Sequence, residues 1–278
     1  MGKKKAAFAQ QEVQVRSEAP RPMRKISYPL RFTPMTVETA EDITPTMRRV
    51  VMAPVRPSPR EPFESQALMG EYVRVVVPPT GAPEVPEPQW QEGTRGLWPV
   101  WQKPAPPSRK YTVRNYWSQT QRVEINVTLH EKGPGSDWAR SVQPGATTYV
   151  LGPKSGYRVS YDYDFYLMVC DQTGLPGVAR WLEQLPSTAG GHVFVKIPAE
   201  TSVQDLTAPP GMQISWVLPP QDLAGTVMAS PRPAGYVFTW IAGESTSIKP
   251  LRSWIRHEWG LSKSDGYSSG YWKDKSLR

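Results

Sequence analysis

Arg109-Lys110-Tyr111-Thr112 sets a permanent cation, a large ring and a small hydroxyl within four residues. These groups suit a flavin. Arginine pairs with pyrophosphate, a tyrosine ring lies against an isoalloxazine, and a hydroxyl hydrogen-bonds the ring edge. On a strand, alternation puts Arg109 and Tyr111 on one face and Thr112 on the other or at the edge. Three more segments carry related chemistry. Gly133–Ala139 is a glycine-rich turn opening a helix, with Ser136 the expected cap and outward amides suited to phosphate. Asp171-Gln172-Thr173-Gly174-Leu175-Pro176 is a strand-to-helix turn, and Ala242–Ser247 is another. In a parallel sheet both turns fall on the carboxyl rim, where α/β folds bind ligands. Each segment taken singly also fits an ordinary strand, cap or turn.

Other chemistries lack their residues. Cys170 is the single cysteine, which excludes an intramolecular disulfide and any cysteine-held zinc or iron–sulfur cluster within this chain. His130, His192 and His257 are far apart and share no metal-ligand spacing. No Gly-x-Ser-x-Gly, His-Glu-x-x-His or Walker pattern is present. Redox chemistry here therefore calls for an organic cofactor and no resident metal.

The elements that must position these residues change character along the chain. Met35–Glu41, Met47–Ala53, Gly70–Val77, Arg109–Trp117, Arg122–Glu131 and Thr147–Leu151 are predicted strands. In Arg122–Glu131, Val123, Ile125, Val127 and Leu129 alternate with polar residues, which predicts one buried face with His130 on the other. Residues 78–107 hold nine prolines, which predicts an extended loop without regular structure. Trp90, Trp98 and Trp101 in that loop imply that it packs on the body. Beyond this region, strands at Phe165–Cys170, His192–Ile197, Ile214–Leu218 and Tyr236–Ala242 alternate with helices at Val178–Leu185 and Ser247–Trp259. A short strand at Ser269–Trp272 ends the chain. The expected architecture is an N-terminal antiparallel β-barrel of Greek-key type, residues 32–157, followed by a C-terminal α/β domain with a parallel sheet, residues 158–278.

The net charge of +8 is concentrated at one end. Residues 1–31 hold eight basic and two acidic residues, a net +6, which leaves +2 for the rest. That predicts a basic, disordered arm on a nearly neutral body, with no nucleic-acid partner. No run of about 18 apolar residues occurs, and no apolar segment follows the first lysines, so neither membrane insertion nor secretion is expected. A cytoplasmic monomer is the corresponding expectation.

Set in order, these pieces resemble the siderophore-interacting protein family, flavin reductases of the ferredoxin–NADP reductase superfamily. The resemblance runs from about Met35 to Trp272. It is carried by Ile43-Thr44-Pro45-x-Met47-Arg48-Arg49-Val50, Gly70-Glu71-Tyr72-Val73-Arg74, Arg109-x-Tyr111-Thr112-Val113-Arg114 and Leu129-His130. Trp138-Ala139, Gly152-Pro153, Thr173-x-Leu175-Pro176, Ala242-Gly243-Glu244 with Leu251-Arg252, and Gly270-Tyr271-Trp272 complete it. Gln172 stands where the family commonly has an acidic residue, and Gly174 where it has alanine.

The resemblance implies FAD in the barrel and reduction of ferric siderophore to release ferrous iron. The electron donor would be NADPH, NADH or reduced ferredoxin. For FAD it implies Arg109, Tyr111, Thr112, Val113, His130, Ser136, Trp138, Ala139, Gly152, Thr173 and Glu244. For the anionic ferric complex it implies Arg74, Lys154, Arg158, Lys249 and Lys273; for a nicotinamide nucleotide, Thr173, Lys196 and Arg252. Two other readings fit less of the chain: an FAD-containing siderophore-binding module without efficient turnover, and a basic adaptor acting through residues 1–31.

Overall fold

The computed structural model describes residues 19–57, 62–93 and 96–274. Residues 1–18, most of the expected basic arm, lie outside the described residues. The N-terminal half contains β1 (Arg24–Ser27), β2 (Phe32–Thr44), β3 (Met47–Pro54), β4 (Tyr72–Val76), β5 (Gln89–Gly93), β6 (Gly96–Val100), β7 (Ser108–Thr112), β8 (Asn115–Trp117), β9 (Arg122–Thr128), α1 (Pro134–Ser141), β10 (Thr147–Leu151) and β11 (Ser155–Arg158). Seven of these form an antiparallel sheet in the order β7-β4-β10-β2-β3-β9-β8. The predicted strand Arg109–Trp117 is split in two, and the split closes the barrel. The Val113 amide donates to Glu71 on one sheet edge, and the Arg114 amide donates to Glu124 on the other. One chain segment thus joins both edges and removes them.

The barrel core is aliphatic, with Met35, Val50, Met52, Val73, Val75, Val123, Ile125 and Val150 fully buried. β9 differs from its predicted one-sided burial, because Glu124 and Asn126 are buried as well. Arg49 covers Glu124 from β3 at 3.2 Å.

Two segments gain structure that composition did not suggest. Arg24–Ser27, in the expected arm, pairs antiparallel with β11. Within the proline-rich loop, β5 and β6 form a hairpin. Its arms contain only Pro99, and an unpaired edge of a two-stranded ribbon tolerates proline. The three tryptophans do pack on the body, as expected. Trp98 meets Phe32 edge-on at 4.8 Å, and Trp101 and Trp90 lie 5.6 and 6.2 Å from Tyr149.

The C-terminal half contains β12 (Phe165–Asp171), α2 (Leu175–Gln184), β13 (Gly190–Lys196), β14 (Gly211–Val217), α3 (Leu223–Met228), β15 (Val237–Glu244), α4 (Ser245–Glu258) and β16 (Gly266–Trp272). Only α3 had no predicted counterpart. The five strands are parallel, in the order β14-β13-β12-β15-β16. The chain leaves β12 towards β13 and leaves β15 towards β16. The strand order therefore reverses between β12 and β15, and their carboxyl ends flank the crevice where such folds bind ligands. α2 covers one face through Val178, Trp181 and Leu182, and α4 the other through Ile248, Leu251 and Ile255. Met47 and Met69 of the barrel join the α2-side core, so the halves share packing.

Candidate functional site

The strand β7 runs under the start of α1. A Cβ at Gly135 would collide with the Tyr111 hydroxyl and sit 3.0 Å from Arg109 Cγ. Arg109 and Tyr111 therefore share one face, as strand alternation required, and only a bare α-carbon fits above them. The Trp138 ring lies 6.5 Å from that of Tyr111 at 34°. Burial, partly opposed by Arg109, raises the Tyr111 phenol well above its ordinary range, so it remains a neutral hydroxyl. The Arg109 guanidinium is exposed and donates to the Ser108 carbonyl at 2.9 Å.

Ser136 is not the cap of α1. The N-cap is Gly133, and the Ser136 hydroxyl is buried, accepting from the His130 amide at 2.9 Å and donating to the His130 carbonyl at 2.8 Å. It pins the preceding loop to the helix. The Asp137 amide already bonds Gly133 and Pro134 has no amide hydrogen, so the first-turn amides without a place in the helix ladder are those of Gly135 and Ser136. Trp138 and Ala139 are core residues with buried side chains. Val113 offers no free polar group, since its amide bonds Glu71 and its carbonyl accepts from Arg180. The His130 ring packs over Gly133, where a Cβ would lie 2.9 Å away. Gly152, with φ +103°, adjoins Tyr72 and Val73 on the far side of β4 from β7.

The two strand-to-helix turns meet at the crevice, and Asp171 joins them. Its Oδ1 accepts from the Thr173 amide at 2.8 Å and hydroxyl at 2.5 Å. Its Oδ2 accepts from the Glu244 amide and the Trp272 indole, both at 2.8 Å. One carboxylate thus fixes the carboxyl ends of β12, β15 and β16. Sequence reasoning placed Asp171 at the start of a rim turn but gave its carboxylate no role. The Glu244 carboxylate is spent on structure, accepting from Ser247 at 2.6 Å and Asp274 at 3.2 Å. Burial opposes its ionisation, but the amides of Thr246, Ser247 and Asp274 prevail and hold it at about 2. The departures from the family pattern also have local causes. Gln172 donates to Thr46 of the barrel at 2.6 Å. A Cβ on Gly174 would lie 2.6 Å from Cys170 Cβ.

Thr112 faces the other half of the molecule. It is buried, its hydroxyl bonds the Tyr271 phenol, and its methyl approaches Gly177 of α2. Beside it, Arg180 of α2 donates to the carbonyls of Val113 and Leu68 in the barrel. Arg114 and Glu183 add an ion pair at 2.5 Å. Gly135, Arg180 and Tyr271 carry no sequence signature of these roles, because each acts through a neighbour remote in sequence.

The expected basic residues do not form one cluster. Lys249 and Lys273 are exposed and follow Glu244 and Trp272 at the rim. Lys196 is level with Asp171 across β12 and β13. Arg252 lies seven residues into α4, about 10 Å from its start. Arg74 bonds Ser108 at 2.9 Å on the outer face of the barrel, and Lys154 is exposed after β10. Arg158 is elsewhere. It follows Tyr157, whose ring lies 5.3 Å from that of Tyr267 at a tilt of 54°, five residues of β16 short of Trp272. That is roughly 17 Å of strand. Arg158 instead faces Arg24 across the β1–β11 ribbon.

A family model described as the siderophore-interacting FAD-binding domain matches residues 36–157. A second, described as siderophore-interacting protein, matches residues 163–275. The chain is 31% identical over 242 residues to the NADPH-dependent ferric-chelate reductase of Escherichia coli, covering 84% of this chain and 91% of that protein. It is 29% identical over 214 residues to the ferric vibriobactin reductase of Vibrio cholerae, covering 73% and 77%. Among solved structures, a siderophore utilization protein from T. fusca superposes with a TM-score of 0.80 at 27% identity, covering 91% and 97%.

Proposed function

This chain belongs to the siderophore-interacting protein family, and we propose that it is a cytoplasmic FAD-dependent ferric-siderophore reductase that uses NADPH. The observation carrying the reading is the packing of the Tyr111 hydroxyl and the Arg109 stem against Gly135, in the first turn of α1. A cation and two amides at a helix start fit a pyrophosphate. Gly135 is bare because Tyr111 and Arg109 already pack against its α-carbon, which seats both residues at the helix start. FAD, when bound, supplies the exchange between a two-electron hydride donor and a one-electron iron acceptor.

The protein's own work is binding, orientation and electrostatics. Arg109 and the two amides would hold the phosphates, Tyr111 would face the ring, and Thr112, bonded to Tyr271, would hold the seam behind them. Thr173, fixed by Asp171, would present the α/β half to the same seam. Lys249, Lys273 and Lys196 would draw the anionic iron complex and nucleotide to the rim, because a positive cleft raises encounter rates. No helix among the described residues is long and apolar enough to cross a membrane. A boundary between residues 157 and 158 would leave each matched region inside one domain.

Anaerobic titration of the yellow protein with NADPH, then mixing with a ferric siderophore, tests the reading. Bleaching by NADPH and rapid return of colour with ferrous iron trapped by a chelator is the expected result. Protein that stays colourless after reconstitution with FAD would refute it. Binding of the iron complex without reoxidation would reduce the protein to a capture module.

A further inference from the structure

Trp272 is the most exposed tryptophan among the described residues, with 46% of its surface open to solvent. It is nevertheless held at both ends. Its carbonyl accepts from the Ser245 hydroxyl and its indole N–H donates to Asp171 Oδ2, each at 2.8 Å. The same Oδ2 accepts from the Glu244 amide, and Oδ1 accepts from the Thr173 hydroxyl. The indole edge therefore lies on the carboxylate that spans β12 and β15, at the reversal of strand order where such folds take their ligands. A local irregularity aims it there. Gly243 pairs with Gly270 and Glu244 with Trp272, so Tyr271 is an extra residue in β16. A bulge of this kind breaks the alternation of side chains and re-aims one beside a site. Tyr271 bonds the Thr112 hydroxyl in the seam, and Trp272 stands at the rim. A large apolar ring left in water contributes little burial to the fold, and fixing it costs rotamer freedom. A ligand that stacks on it recovers the first and need not meet the second.

We propose that Trp272 is a specificity residue of the iron-complex site: its ring stacks on aromatic rings that coordinate the iron, so the rim favours ferric catecholates over anionic aliphatic complexes. The inference rests on the reductase reading above. Lys249 and Lys273 are exposed and act on any anion, because an ammonium is a point charge that reads charge and not ligand shape. The indole reads the ring. Offset stacking adds to the burial of two apolar faces, and an aliphatic carboxylate offers neither. Asp171 orients the platform, since a fixed indole N–H limits the plane of the ring.

Two substitutions separate the ring from the hydrogen bond. Trp272→Gln drops the ring and keeps an N–H donor as many bonds from the α-carbon as the indole nitrogen, whereas Trp272→Phe keeps a ring and drops the donor. Equilibrium dialysis of the oxidised full chain, with no electron donor present, gives the Kd for a ferric tris-catecholate and for ferric EDTA. Trp272→Gln should raise the Kd for the tris-catecholate about tenfold and leave that for ferric EDTA unchanged. Trp272→Phe should stay within about threefold of wild type for both. A purely structural tie to Asp171 would reverse the order, so a phenylalanine variant weaker than the glutamine variant overturns the proposal. Equal weakening of both complexes by Trp272→Gln, or none for the tris-catecholate, also overturns it. If Trp272→Gln does not fold, Trp272→Met takes its place under the same criteria. A raised apparent KM for NADPH with both complexes unaffected would give the ring to the nucleotide and overturn the proposal. Wild-type protein that takes up no flavin would refute the reductase reading, while the dialysis decides the role of Trp272 by itself.

Discussion

Gly135→Ala separates a cofactor site held by Tyr111 and Arg109 from an ordinary helix start. Gly135 is the second residue of α1, where alanine should stabilise the helix by about 0.5–1 kcal/mol. Against this, the new methyl would overlap the Tyr111 hydroxyl and press on Arg109 Cγ at 3.0 Å. Overpacking of this kind costs about 1–3 kcal/mol, so net stability should change little or fall slightly. The effect on cofactor binding should be larger. The ring and the guanidinium must both move, and a charged hydrogen bond out of line forfeits about 1.5–3 kcal/mol. At about 1.4 kcal/mol per factor of ten, the Kd for FAD should rise roughly tenfold to a hundredfold. Fluorescence quenching of FAD gives the Kd, and thermal denaturation of the apoprotein gives the stability. An alanine variant that is more stable and binds FAD as tightly as wild type would refute the placing of Tyr111 and Arg109 in the cofactor site.

Three further outcomes follow from the same geometry. Arg109→Ala should weaken FAD binding by roughly ten- to a hundredfold through its lost charged contacts; undiminished flavin content after extensive dialysis would remove it from the phosphate site. Lys273→Ala should raise the apparent KM for anionic ferric complexes while Arg158→Ala leaves it unchanged, because Arg158 lies away from the rim; steady-state kinetics giving the reverse order would relocate the substrate cleft. Glu244 sits at about 2 in the folded protein against an ordinary 4.5, so its contribution to stability is present above 4.5 and lost as pH falls from there towards 2. Denaturation midpoints should therefore drop in that window for wild type and lose part of that slope in Glu244→Gln; identical slopes would show that the helix cap is energetically silent.

Much of the fold was legible because its signals are local. Alternation in Val123–Leu129 and apolar spacing in Val178–Leu185 report strand and helix through residues a few positions apart. The hairpin at Gln89–Val100 was not legible, because proline density over thirty residues hid a twelve-residue stretch with one proline near its end. Arg24–Ser27 was hidden differently: its charge suggested a solvated arm, but its backbone is satisfied by a strand 131 residues later.

The same division runs through the site. Residue type and order alone determined the arginine, tyrosine and threonine of β7, the two rim turns and the family to which they belong, because cofactor chemistry demands particular groups at short spacing. Tertiary structure alone decided that Gly135 must be bare, that Ser136 serves the loop and not the helix cap, that Asp171 ties three strands, and that Arg180 carries its charge into the seam. Each of those roles depends on what a distant segment brings within about 3 Å, and separation along the chain says nothing of that distance until the barrel and the sheet have closed upon each other.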